Sequence, residues 1–303
     1  MLNSYLAFFI GIVFYGMAQA DERVIPVHHN ACAEAIRAGD FSKSLMLAEQ
    51  QLKRNKFNHD ALICKGRVLD QTAHYPQAIA TLKIAVKQSA TPMKRALALT
   101  LIGNIQKRIQ NFAEALSTYQ KSLAITQAEK ETRFERISLN QIGEVQVELG
   151  QLAAALESYQ AANKLSANAG ERNDGYARIA ALSSRLGLHE QAIEFQIKVL
   201  MAAESSSDFE QYINANLEMG RIYTMAGEYA KAEKILDKTL ALTQEQKSQY
   251  WEAKTYYYLG LEKVARSELT ESRNLMLKAR DLSLSIGAQT LLDEINLALK
   301  PRE

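Results

Sequence analysis

Small residues return in register along this chain: Ser44, Ala78, Ala115, Ala155, Ala192, Ala232 and Ser272, at steps of 34, 37, 40, 37, 40 and 40 residues. A period of this size marks stacked supersecondary units, none of which can bury its apolar face alone. Twelve positions before each member runs a second small column, Cys32, Gly66, Gly103, Gly143, Ala180, Gly220 and Gly260, where two helices must approach closely. A third, mostly large column lies three residues before the first: Phe41, Tyr75, Phe112, Leu152, His189, Tyr229 and Leu269. Four residues after the first column stand Ala48, Leu82, Tyr119, Tyr159, Leu236 and Met276, one helical turn along the same face. The fifth unit departs, with Gln196 in that slot and Phe195 before it. Glycines at 39, 150, 187 and 227 mark turns between the two halves of a unit. The pattern predicts an all-α chain of helix, short turn, helix, about seven times over.

These columns resemble the tetratricopeptide repeat (TPR), whose signature runs Leu-Gly-x2-Tyr and then Ala-x3-Phe. The matching residues are Ile102-Gly103, Ile142-Gly143, Met219-Gly220 with Tyr223, and Leu259-Gly260, followed by Ala115 with Tyr119 and Ala155 with Tyr159. The resemblance covers residues 28–284 and implies a right-handed α-solenoid. Steps longer than 34 residues add one to two helical turns at 3.6 residues each. That extra length is expected in the second helix and the linker after it. Residues 285–303 hold a capping helix and tail, with Leu291, Leu292, Ile295 and Leu299 on one side of the helix, since an open solenoid needs a polar-backed end.

Lys plus Arg number 36 against 34 for Asp plus Glu, a formal charge of +2, which lacks the basic footprint of a nucleic-acid binder. No nucleic-acid partner is expected. Residues 1–20 read as a signal peptide: an apolar run from Leu6 to Phe14, too short to span a bilayer comfortably, leads to Ala18-Gln19-Ala20, a small-x-small cleavage pattern. An uncleaved anchor is the alternative. Either exports residues 21–303, of which 21–27 form a short mature segment, and a bacterial periplasm is the expected compartment, with no membrane insertion after cleavage. Export raises the chance that Cys32 and Cys64 pair, stapling the first unit, although two buried thiols acting as small apolar residues fit the register equally.

Catalytic signals are sparse. His28, His29, His59, His74 and His189 make no ligand pair by spacing, and His189 occupies the large-residue column as a packing residue. The chain has no Gly-rich phosphate loop, HExxH, paired-Cys zinc spacing or nucleophile elbow. A non-enzymatic protein without cofactor or metal is expected.

Binding remains. The resemblance implies that first helices line a concave wall, placing Ile63, Arg67, Asp70, Thr100, Asn104, Lys107 and Arg108 there from the second and third units. The fourth and fifth units contribute Asn140, Glu144, Val147, Glu148, Ala177, Ser184 and Arg185, and the last two Leu217, Arg221, Met225, Tyr257, Leu261 and Val264. The wall would thus shift from basic near Lys107 to apolar near Tyr257. Asn104, Lys107 and Arg108 resemble a polar clamp for a carboxy-terminal carboxylate, but Glu144 and Glu148 nearby argue against a close match, and a solvated charged face is the alternative. At the apolar end, Tyr257 and Met225 are candidate anchors for a peptide or amphipathic helix. The alternative there is that the capping helix covers the patch and makes Leu261 and Val264 ordinary core. Of three consecutive tyrosines, Tyr256 is expected in the core, Tyr257 on the wall and Tyr258 toward a neighbouring helix. The expected function is a protein- or peptide-binding adaptor of the cell envelope. A sensor module, in which a ligand changes the pitch of the array and a partner reads the change, is the second reading.

Overall fold

The computed structural model describes residues 31–300, and all its regular elements are α-helices. They are α1 (Ala31–Arg37), α2 (Phe41–Arg54), α3 (His59–Gln71), α4 (Tyr75–Lys87), α5 (Pro92–Arg108), α6 (Phe112–Ala128), α7 (Thr132–Glu148) and α8 (Leu152–Lys164). After these come α9 (Ala169–Arg185), α10 (His189–Ser206), α11 (Phe209–Met225), α12 (Tyr229–Glu245), α13 (Gln249–Ala265), α14 (Leu269–Ser285) and α15 (Gln289–Leu299). Odd-numbered helices open a unit and even-numbered ones close it. The described residues form two compact units, one ending at Glu171 and one running from Arg172. The expected signal peptide over 1–20, the segment 21–27 and the pair His28-His29 lie outside the described residues.

Local chemistry sets the helix starts. Asp40 accepts from the Lys43 N–H at 2.9 Å and Asn58 from the Ala61 N–H at 3.0 Å, each a side-chain oxygen satisfying an orphan donor of the first turn. Thr91 does the same for Lys94 at 3.2 Å, with Pro92 in the first helical position, where its missing N–H costs nothing. Between first and second helices the chain reverses through one left-handed residue, always five positions before the small column. Gly39, Gly150, Gly187 and Gly227 stand there at φ +73° to +75°, but so do Ala73 and Gln110 at 60° and Ser267 at 66°. At Gly150 the turn closes with the Gln151 N–H donating to the Gln146 carbonyl at 2.8 Å, and at Ala73 with His74 donating to Leu69 at 2.7 Å.

The second small column meets the column of Leu82, Tyr119, Tyr159, Leu236 and Met276 across each hairpin. Ala78, Ala115, Ala155, Ala192 and Ala232 are wholly buried. A Cβ added at Gly103 would lie 2.5 Å from the Tyr119 ring, and one at Gly143 would lie 2.6 Å from Tyr159, so glycine is what lets the tyrosine rings lie against the first helix. The same clash recurs for Gly66 on Leu82, Gly220 on Leu236 and Gly260 on Met276. Where the first helix carries a side chain, the facing residue changes. Cys32 clusters with Ala48, and in the fifth unit, where Ala180 replaces glycine, Gln196 is buried and donates to the Ala215 carbonyl at 2.8 Å. Ser44 tolerates burial in the small column because its hydroxyl donates to the Cys32 carbonyl at 3.1 Å.

Helix lengths account for the uneven steps, and they correct the expectation that second helices and linkers take all the extra residues. The first helix α3 has 13 residues, whereas α5, α7, α9, α11 and α13 have 17. Second helices α4 and α8 keep 13, while α6, α12 and α14 reach 17 and α10 reaches 18. A 37-residue step therefore joins a short second helix to a long first one, and a 40-residue step joins two long helices. Each increment is about one turn, which keeps the packing face in phase.

Cys32 of α1 and Cys64 of α3 are joined as a disulfide with Cα atoms 6.4 Å apart, resolving the two readings in favour of a staple across the first units. At the other end α15 buries Leu291 and Ile295 into a core shared with Tyr257, Leu261 and Met276. Leu261 is thus core rather than an open patch.

Candidate functional site

In the amino-terminal unit the expected wall residues of α3, α5 and α7 form rungs between successive first helices. Lys107 Nζ lies 2.6 Å from Glu144, Arg108 Nε 3.4 Å from Asp70, and Lys94 Nζ 3.1 Å from Asp60. The Asn104 carboxamide oxygen accepts both the Tyr119 hydroxyl at 2.7 Å and the Gln141 amide at 3.0 Å. Arg136, itself buried, reaches Glu171 at 3.1 Å. Asn104, Lys107 and Arg108 therefore do not stand as an open clamp: the acceptor of the amide and the charge of the lysine are already engaged by the next unit. Arg67, Asn104, Lys107 and Glu144 are half-buried, and Arg108 and Glu148 are exposed, so this polar row reaches solvent. Thr100, Asn140 and Val147, expected on the wall, are buried instead.

The carboxy-terminal unit differs from expectation more strongly. Leu217 and Tyr257 are wholly buried, and Leu261 is buried too, so these three pack rather than line a surface. They lie in one core with Leu236 and Met276 of the second helices α12 and α14, which Leu291 and Ile295 of α15 join. Tyr256, expected in the core, is instead half-buried and its hydroxyl accepts from Gln244 at 3.1 Å. Tyr258 does reach a neighbouring helix, donating to Glu218 at 2.8 Å.

Arg221 is 4% exposed and is held by Glu218, whose other oxygen takes Arg221 Nε at 2.8 Å. Burial alone would push the Glu218 carboxyl up, but the Arg221 guanidinium and the Tyr258 hydroxyl hold it below the usual carboxylate range. Arg221 Nη1 donates only to the Met225 sulfur at 3.1 Å, and Nη2 has no hydrogen-bond partner. The buried Ser184 hydroxyl donates to the same sulfur at 3.2 Å. Lys254 lies 3.4 Å from Asn214, and burial lowers the affinity of its amine for a proton. Met225 and Arg185 are half-buried.

Sequence reasoning overlooked Gln141 and Glu218, which stand two residues before the second small column, as Tyr258 does. The signal was present, since that position turns polar in the later units after Cys64 and Leu101 in the earlier ones. It also overlooked Lys263, a buried lysine within 2.6 Å of Glu233 and 3.4 Å of Glu268, which ties α12, α13 and the last hairpin turn together. His189 opens α10 half-buried rather than packed away, and His59 sits 3.2 Å from the Lys94 carbonyl oxygen. Among the described residues no group of three His, Cys, Asp or Glu side chains could hold a metal ion, and no helix is long and apolar enough to cross a membrane.

Residues 94–165 match the family model described as tetratricopeptide repeat. Tetratricopeptide repeat protein 29 of Trypanosoma brucei brucei is 23% identical over 168 residues, covering 54% of this chain and 34% of that protein, so the chain spans about a third of its relative. The apo form of RapI superposes with a TM-score of 0.65 at 17% identity, over 84% of this chain and 75% of that one. A tetratricopeptide repeat protein from Parabacteroides merdae does so at 0.55 and 15%, over 87% and 95%. These likenesses share the fold: stacked helical hairpins of the tetratricopeptide type.

Proposed function

We propose that this array of tetratricopeptide-type hairpins is a non-enzymatic scaffold that binds a protein or peptide along the face lined by its first helices, in the cell envelope after export. Stacked helical repeats present extended binding surfaces, and residues 94–165 match the tetratricopeptide repeat. The observation that supports the reading here is the solvent-reaching row Arg67, Asn104, Lys107, Arg108, Glu144 and Glu148 on α3, α5 and α7, cross-linked between units at Lys107–Glu144 and Arg108–Asp70. Rungs of this kind hold long side chains in place before a ligand arrives, which reduces the ordering cost of binding. A row of mixed charge suits the backbone and polar side chains of an extended peptide better than it suits a polyanion. The apolar end near Tyr257 contributes stability rather than contact.

The test is a pull-down with the exported chain, comparing wild type with Lys107→Glu combined with Arg108→Glu. Loss of a partner with an unchanged thermal melt is the expected result; retention of every partner contradicts the reading. Export is tested separately by fractionation and amino-terminal sequencing, with a mature chain beginning at Asp21 expected.

A further inference from the structure

The corner between α9 and α11 in the carboxy-terminal unit is rich in donors and poor in acceptors. Glu218 occupies the Nε side of the Arg221 guanidinium at 2.8 Å and is itself fixed by the Tyr258 hydroxyl at 2.8 Å. That leaves the edge formed by Nη1 and Nη2. Nη2 has no partner, although Arg221 is 4% exposed, and Nη1 meets only the Met225 thioether at 3.1 Å. Ser184, wholly buried, also gives its hydroxyl proton to that sulfur at 3.2 Å. A thioether is a weak acceptor, and here a single one faces two donors beside a third that has none. Buried donors are normally satisfied, and leaving one unsatisfied is unfavourable, most of all on a charged group. An end-on guanidinium edge matches the two oxygens of a carboxylate. Met225 is half-buried, and an unbranched side chain with three rotatable bonds can vacate the corner without backbone movement.

We propose that Ser184, Arg221 and Met225 form a carboxylate-binding subsite, in which a ligand carboxylate displaces the Met225 thioether and is received by the Nη1–Nη2 edge of Arg221 and the Ser184 hydroxyl. The proposal rests on use of the first-helix face for binding and adds the chemistry that one position on that face selects. The carboxylate can be a chain terminus or an acidic side chain. Glu218 serves as the positioning residue that keeps the guanidinium turned toward it.

The test uses the full chain with ¹³C-labelled methionine methyls, titrated at constant ionic strength. The probes are sodium acetate and three versions of one short apolar peptide: free carboxy terminus, amidated with an internal glutamate, and amidated without acid. The Met225 methyl is expected to shift saturably with acetate and with one or both acidic peptides, and to stay still with the uncharged peptide. Comparison of the two acidic peptides separates terminal from side-chain recognition. Ser184→Ala, which leaves the Arg221–Glu218 pair intact, is expected to weaken the response about threefold, and Arg221→Lys about tenfold. The core Met219 methyl reports whether each variant is folded, and Ser184→Ala decides if Arg221→Lys is not. The proposal is overturned if the Met225 methyl ignores every carboxylate, responds equally to the uncharged peptide, or binds unchanged in Ser184→Ala. If the peptides move other methyls while Met225 stays still, binding along the first-helix face stands and the carboxylate subsite falls.

Discussion

Single side chains decide how closely each hairpin closes. Gly103 is required because the Tyr119 ring occupies the space of a Cβ, so Gly103→Ala should cost about 1–3 kcal/mol as the ring is pushed aside, read from chemical denaturation. Stabilisation, as an ordinary exposed helical Gly→Ala change gives, would contradict the packing described. The same tyrosine delivers its hydroxyl to Asn104, which links core closure to the polar row on the first helices. Titration has a sign at this scale as well. Burial raises the Glu294 carboxyl, with Lys254 partly opposing, so its ionised form is disfavoured in the folded state. The penalty is absent below the unfolded pKa and grows as pH rises through the folded one. Glu294→Gln should therefore raise the melting temperature more at pH 8 than at pH 4; an equal change at both would remove this account. Glu218, held low by Arg221, behaves oppositely: its contribution is present above the unfolded pKa and is lost as pH falls through the folded value.

At the scale of helices and turns, the sequence exposes the period plainly and the allocation of residues poorly. Columns of small residues survive any change of helix length by one turn, so 34, 37 and 40 residue steps look alike until each helix is measured. Left-handed turn residues were legible only where they are glycine; Ala73, Gln110 and Ser267 do the same work with a Cβ, at φ 60° to 66°. Ala73→Gly should accordingly stabilise the chain by roughly 0.5–1 kcal/mol, because it relieves left-handed strain at a position that needs it. Destabilisation in a thermal melt would argue that the turn is not strained. The Cys32–Cys64 disulfide ties α1 to α3, and opening it should destabilise the first hairpin by about 2–4 kcal/mol. Hydrogen exchange with and without reductant checks this: faster exchange confined to α1 and α2 is expected, whereas uniform acceleration would mean the staple supports more than its own unit.

Across the whole molecule, the register told packing from surface better in the amino-terminal unit, where Thr100, Asn140 and Val147 are nonetheless buried, than in the carboxy-terminal one. A first-helix position is flanked by neighbours on both sides, and whether it reaches solvent depends on what those neighbours carry. Arg67, one residue after the second small column, has a long chain that reaches outward, while Leu261 at the matching place is buried in a core that Leu291 and Ile295 of α15 share. Periodicity cannot separate these outcomes, since the distinction lies in pairs of residues about a repeat apart. Lys107 and Glu144 are such a pair, and a double-mutant cycle with alanine should show coupling of about 0.5–1 kcal/mol. The central claim is that the first-helix face is where a partner binds. Photo-crosslinking residues placed at Asn104 and Glu148 on first helices, and at exposed Lys83 on the second helix α4, test it in intact cells. Partner adducts from positions 104 and 148 and none from position 83 are predicted; adducts from position 83 alone would place recognition on the opposite helices and contradict it.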